Sequence, residues 1–556
     1  MTGPCLQELL EAARGLMPAD TIFRNARIFN PFNGKWEQGT LAVKDGLVLG
    51  IGNYSGIKEY DLGGSCIIPG LIDAHVHIES SLLTPREYAR LVVRHGTTTV
   101  IADPHEIANV AGSRGIDFML DQREGADIDI LYLLPSCVPA TPEDVGGAIL
   151  TARDLRPYAD RRGILGLGEM MNVPGVLAAD PSVLEKLQLC SVRDGHAPLL
   201  TGNDLNAYIL AGLQSDHECT RLDEAEEKLR RGMYIFIREG STERNIADLI
   251  DLVTPETVSR CCFCSDDCHA GTLFERGHID HCIRRAVECG LKPELALRMA
   301  TLSAAERFGL SDRGALTPGR RADFCVVDNP QSLRVKTVYV QGKEIADPVR
   351  VPVPPFVPAF FSKIPGVDDI RIHGSGNARV IGLVPHQILT RSLQFPVSAR
   401  DIPDFKRDIL KVVVCNRYHE TACGVGLVHG FLLNRGAIAS SISHDAHNII
   451  AVGASDREIL LGINEVIRSR GAMVAVVGES KTVLPLDCGG LMSTLPYDKV
   501  VKRLKDLRDT TEKMGCVDDP FMYLSFLALT VIPELRITNR GLFDVGEMRD
   551  VPMFVE

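Results

Sequence analysis

The chain is predicted to be an α/β protein of 556 residues: a (β/α)8 TIM-like barrel, a small discontinuous β-sandwich, and a C-terminal α/β or α+β domain. Three observations predict this. The length exceeds what one ordinary core holds. Between about residues 68 and 270, eight apolar, β-rich runs alternate with helical stretches, the pattern of a parallel sheet with crossover helices. Hairpin signals flank that region, and a proline-rich stretch separates it from a further mixed segment.

Residues 1–67 open with an amphipathic helical pattern in LQELLEAARGL. Short β-rich runs follow, split by Asn-Gly and Asp-Gly, the signature of tight hairpins. Residues 68–310 carry the barrel. β-rich runs return in residues 311–350, which are expected to rejoin the N-terminal strands. The segment VPVPPFVPAF, residues 351–360, lies within residues 351–364 and reads as an extended linker. Residues 365–556 form the C-terminal domain, with strand-like DILKVVVCN and GAMVAVVG and the helical DREILLGINEVIRSRG.

Composition narrows the function classes. Hydrophobic residues are 45% and charged residues 24%, an ordinary globular balance, and no apolar run is long enough to cross a bilayer. A net charge of −12 opposes nucleic acid and anionic membrane as partners. The N-terminus lacks the pattern of a secretory leader, and the sixteen cysteines lack a disulfide-framework spacing. A soluble cytoplasmic protein with free thiols is therefore expected.

Chemistry in a barrel gathers at the C-terminal ends of the strands. The first run ends on His75-Val76-His77, and residues i and i+2 of a strand share a face, so both imidazoles can converge on one point. Alone, this pair also fits ordinary hydrogen-bonded histidines. Later strand ends add Asp103, His105 and Glu106, then Glu169, His196, His217 and the pair Asp266-Asp267. Four imidazoles with two carboxylates can hold two divalent ions and generate a nucleophile from water at neutral pH.

The HxH pair, the acid after the fourth run, the single histidines after the fifth and sixth, and the aspartate after the eighth resemble the amidohydrolase superfamily. With DAHVHIESS, ADPHEIANV, GLGEMMN, CSDD and GHIDHCIRRA in the first part and GAIASSISHDAHNIIAVG near the end, the chain is similar over nearly its whole length to that superfamily's adenine deaminase branch. The resemblance implies metal ligation by His75, His77, Glu169, His196, His217 and Asp267, with Glu169 as the bridge because GILGLGEMMN has no lysine to be carboxylated. It further implies hydrolysis of adenine to hypoxanthine and ammonia in purine salvage, with Asp267 as proton shuttle. Two divalent transition-metal ions are expected, manganese or iron ahead of zinc. A homodimer is expected.

Glu169, His105 and Glu106 join Asp267 as catalytic candidates. Asp103, Glu79, Ser80, His444 and Asp445 are expected to orient ligands or face the substrate. SISHDAHN also contains His447, and His419 and Glu420 stand nearby in NRYHET. This group either reaches over the barrel mouth, holds an extra ion, or forms a polar turn. Cys261, Cys262, Cys264 and Cys268 read as buried thiols, and His278 and His281 as structural or surface residues. The rival functions are hydrolysis of a cyclic amide, such as a hydantoin or dihydropyrimidine, and a catalytically silent scaffold.

Overall fold

The computed structural model describes residues 5–555 apart from 347–349, 359, 361–362, 386 and 419–422. Eight parallel strands form the barrel: Leu71–Val76, Thr97–Ala102, Asp129–Leu134, Ile164–Met170, Arg193–Gly195, Ser215–Asp216, Tyr234–Arg238 and Cys261–Cys264. The first five make one ladder and the last three another. A parallel bridge between Val76 and Asp266 joins the first strand to the segment after the eighth. Across the gap between the short fifth and sixth strands, Ser215 Oγ donates to Asp194, and the Ala197 N–H donates to Asp216 Oδ1 at 2.8 Å.

The barrel interior is filled by side chains of alternating strand positions. Ile72, Ala74, Leu131, Leu133, Phe236, Cys262 and Cys264 pack with Ala304, Ala305 and Phe308 from the helical segment after the barrel. Filling the interior this way closes the tube to solvent and leaves the opposite rim for polar groups.

Strands on both sides of the barrel in sequence join one eight-stranded sheet. Phe324–Val327 pairs antiparallel with Cys66–Pro69, the strand immediately before the barrel. The hairpin linking Lys35–Lys44 to Leu47–Ile51 turns on Asp45 (φ 51°) and Gly46 (φ 77°), the two left-handed positions that an Asp-Gly pair supplies readily.

The C-terminal part holds a nine-stranded sheet that is antiparallel except where Ser375–Leu383 meets Cys423–His429. This corresponds to the α+β option. Helix Asp456–Ser469 packs on the sheet through Ile459, Ile463 and Val466, and its N-terminus is capped by Ser455 Oγ, which accepts the Glu458 N–H. Between strands Ala437–Ser440 and Ile449–Gly453, the SISHDAHN loop runs to the barrel rim, where its histidines meet Glu106.

The expectation of free thiols needs one correction. Cys415 and Cys423 are directly opposed on antiparallel strands with Cα atoms 4.3 Å apart, and they form a disulfide. The cysteines of CCFCSDDC are buried free thiols. His419 and Glu420 lie outside the described residues. Among the described residues, no helix is long and apolar enough to cross a membrane.

Candidate metal centre

Proton positions on the first two histidines set the chemistry. His75 Nδ1 lies 3.0 Å from Asp194 Oδ2; burial opposes the Asp194 charge, but the His75 hydrogen bond and the charges of His75, Arg307 and His217 together hold its carboxyl below the usual range. A carboxylate only accepts, so Nδ1 carries the proton. His77 Nδ1 lies 3.1 Å from the main-chain oxygen of Asp103, which fixes its proton in the same way. Both Nε2 atoms are left as lone pairs, and they face each other at 3.1 Å.

The same His77 Nε2 faces Glu169 Oε1 at 3.1 Å and Asp266 Oδ1 at 3.3 Å. One proton can serve only one of these acceptors at a time. A cation takes all of them. The other Glu169 oxygen, Oε2, lies 2.6 Å from His196 Nδ1 and 3.3 Å from His217 Nε2. Glu169 therefore stands between two donor groups, one on each oxygen, and the donors are the nitrogen and carboxylate set that divalent transition metals accept. Burial opposes charge here, yet His217 is lifted to about 10 by Glu169, while Glu169 and Asp266 are held well below the carboxylate range by the surrounding imidazoles.

Buried carboxylates aim these groups. Asp103 Oδ2 accepts the Glu169 N–H at 2.9 Å. That approach is possible because residue 168 is glycine: a Cβ there would lie 2.0 Å from Asp103 Oδ2. Asp73 accepts from Ser265 N–H at 3.1 Å and Oγ at 2.5 Å, pinning the turn after the eighth strand. The same Asp73 Oδ2 that accepts Ser265 Oγ meets His278 Nε2 at 2.8 Å, which makes His278 a buried structural residue.

Both aspartates after the eighth strand lie within reach of the histidines, Asp266 beside His75 and His217 and both beside His77. Asp266 Oδ1 lies 3.3 Å from His77 Nε2 and 3.8 Å from His75 Nε2. Asp266 sits at φ 52°, its N–H donates to the His75 carbonyl at 3.1 Å, and Arg238 Nη1 holds its Oδ2 at 2.8 Å. Asp267 lies alongside, accepts from Ser80 Oγ and lines the same cavity. Burial and the neighbouring Asp266 charge raise its pKa.

The cavity, about 370 Å³, is shared by both parts of the chain. The barrel supplies His105, Glu106, Glu218, Arg238 and Glu243, and the C-terminal part supplies Ile388, His444, Asp445, Phe526 and Leu529. His105 Nδ1 is 3.6 Å from Glu169 Oε1, and its Nε2 is 3.4 Å from Glu106 Oε1. Glu79 accepts the Ile107 N–H at 3.2 Å, and burial, reinforced by the Glu106 charge, pushes it up to about 7. Burial also raises Asp445 to about 7.

Thus the structure gathers His75, His77, Glu169, His196, His217, His105, Glu106 and Asp267 at one rim, with Asp103, Glu79, Ser80, His444 and Asp445 around them. Sequence reasoning named Asp266 beside Asp267 but gave the ligand role to Asp267, and it missed Asp194 and Glu218. No local signal marks Asp194 as the partner of His75, 119 residues away.

Comparison with known families agrees with this arrangement. The family model described as "Amidohydrolase family" matches residues 66–345, and that described as "Adenine deaminase C-terminal domain" matches residues 387–549. The chain is 62% identical to an adenine deaminase of Methanoregula boonei, with 99% of each chain covered. It is 60% identical to one of Methanoculleus marisnigri, covering 92% of this chain and 99% of the relative. An adenine deaminase of Desulfatibacillum aliphaticivorans is 44% identical, covering 98% and 99% respectively. With both parts matched and such relatives aligned nearly end to end, the chain belongs to the adenine deaminase family of the amidohydrolase superfamily.

Proposed function

We propose that this protein hydrolyses adenine to hypoxanthine and ammonia, in the cytoplasm and as a homodimer, at two divalent transition-metal ions. The observation that carries the metal reading is the pair of imidazole lone pairs 3.1 Å apart at His75 and His77, with Glu169 between them and the His196–His217 pair. His75, His77 and Asp266 would hold one ion, His196 and His217 the other, and Glu169 would reach both. Ions bound there supply Lewis-acid activation of water at neutral pH. Four imidazoles with two carboxylates suit manganese, iron and zinc alike, and cellular supply decides among them.

The chain's own groups handle protons and orientation. Asp267, beside Asp266 and on the cavity wall, takes the proton of the attacking water and returns it to the departing amine. His105 Nδ1 lies 3.6 Å from the Glu169 oxygen that also faces His77, and His105 and Glu106 line the cavity. Phe526, Ile388 and Leu529 offer an apolar wall against which a flat purine ring packs. Purine selectivity over cyclic amides is supported by the named activity of the relatives and by the absence of lysine from the fourth strand.

Ammonia release from a panel of purines, pyrimidines and cyclic amides, run with metal analysis on the same sample, tests the reading. Adenine turnover with close to two ions per chain is expected. Turnover of hydantoins or dihydropyrimidines in preference to adenine, or none at all in the metal-loaded protein, would sink it.

A further inference from the structure

The C-terminal loop bearing His444 and His447 reaches the barrel through Glu106. His444 Nδ1 contacts Glu106 Oε1, and His447 Nε2 contacts Glu106 Oε2, with all three residues buried. At first sight this resembles a third metal site, but the protons argue otherwise. His447 Nδ1 accepts the Ser443 N–H at 3.3 Å, so it is unprotonated. A neutral imidazole then carries its hydrogen on Nε2, and that hydrogen is donated to Glu106. His447 is neutral, pushed down to about 4, chiefly by burial. Its Nε2 therefore has no lone pair for a metal. His447 is a clamp on one oxygen of Glu106.

The other oxygen clamps His444. The His444 ring is stacked on Phe526 at 4.6 Å with an interplanar angle of 15°, so its orientation is set by a face contact and by the Nδ1 bond. Nδ1 is occupied, and Nε2 is the atom left to meet a ligand in the cavity that His444 lines. Burial disfavours its charge, but Glu106 lifts it to about 9, so Nε2 bears a hydrogen at neutral pH.

We propose that His444, supplied by the C-terminal part, contacts the substrate and protonates the ring nitrogen adjacent to the attacked carbon, with Glu106 and His447 as its positioning residues. This rests on the deaminase reading above. As oxygen bonds to the ring carbon, the carbon–nitrogen π pair moves onto the ring nitrogen, which takes the Nε2 proton. The first proton of the attacking water goes through Asp267 to the leaving amine, which departs as ammonia. The second, released as the carbonyl forms, returns to His444 through solvent. The ring nitrogen keeps its hydrogen in the product, so protons balance over the cycle.

The test uses the full-length, metal-loaded protein with adenine and with 6-chloropurine, whose chloride leaves without needing a proton. His444→Ala is expected to lose about 10²- to 10³-fold in kcat, the usual range for a general acid, equally for both substrates and with metal content and melting temperature unchanged. His447→Ala is expected to lose about tenfold in kcat, with most of it restored in His447→Gln, whose amide N–H can replace the imidazole donor. Several outcomes overturn the assignment. A much smaller loss on 6-chloropurine would make His444 the donor to the leaving group. A third ion in the wild type, absent from His444→Ala, would make the cluster a metal site. Wild-type rates in His444→Ala would remove it from the reaction. Failure of the wild type on adenine would instead overturn the deaminase reading, which the parent assay detects first.

Discussion

Single side chains divide the labour between holding ions and moving protons, and neighbouring aspartates separate the two jobs. Asp266→Asn removes a charge facing His77 and also disturbs Arg238, so metal content is expected to fall together with activity. Asp267→Asn should keep most of its metal while losing several orders of magnitude in turnover, because amide oxygen cannot take a proton from water. Metal analysis alongside kcat for both variants checks this contrast, and the reverse pattern would swap the roles. Glu169→Gln keeps the shape but removes the charge that Oε1 and Oε2 present to two donor groups. One ion of the pair should be lost, visible as a drop toward one metal per chain. Full occupancy in that variant would put the bridge elsewhere.

At the scale of strands and turns, the fourth barrel strand shows how little room the site leaves. Gly168 packs against Asp103, whose carboxylate holds the Glu169 N–H. Gly168→Ala must push Asp103 or the strand aside, so it should move Glu169 and cost activity while destabilising the fold by roughly 1–3 kcal/mol, as overpacking does. Thermal melts and metal titration of this variant measure both effects; unchanged metal affinity would show that Asp103 has freedom to yield. The interior of the barrel is less forgiving. Phe236 is fully buried among alternating strand side chains, and Phe236→Ala is expected to cost about 3–5 kcal/mol with no direct effect on the metal donors.

For the molecule as a whole, the two parts are joined at the site and beside it. Asp144 of the barrel side accepts from Thr530 Oγ1 of the C-terminal part at 2.8 Å, and burial pushes its pKa up to about 6. A carboxyl raised on folding is stabilising while protonated. Its contribution is fully present below its unfolded pKa and is lost as pH rises through about 6. Asp144→Asn, which keeps an acceptor oxygen and abolishes the charge, should therefore stabilise the protein by on the order of 1–2 kcal/mol at pH 8 and much less at pH 5. Melting temperatures of the two proteins across that range decide it, and a parallel shift at both pH values would mean that the carboxyl titrates normally. Metal removal acts on the barrel, which supplies every donor named above. Chelation should lower the melting temperature of the intact protein, because ions bound only to the folded state stabilise it by mass action.

Local chemistry carried much of this protein into view before any coordinates. Eight β-rich runs with polar ends, the His75-Val76-His77 step, and the lysine-free GILGLGEMMN all state a barrel with a metal centre, because alternation and strand-end placement are short-range rules. The placing of Asp266 beside the histidines needed the turn after the eighth strand, where Asp266 takes φ 52° and its N–H meets the His75 carbonyl. The partners of His75 and Glu106 lie 119 and more than 330 residues away, so no local pattern could name Asp194, His444 or His447 as their holders. The disulfide between Cys415 and Cys423 likewise depends on strand register. Periodicity along a chain reports which face a side chain takes. Which proton sits on which imidazole depends on contacts between distant strands and loops, and only the packed fold sets those.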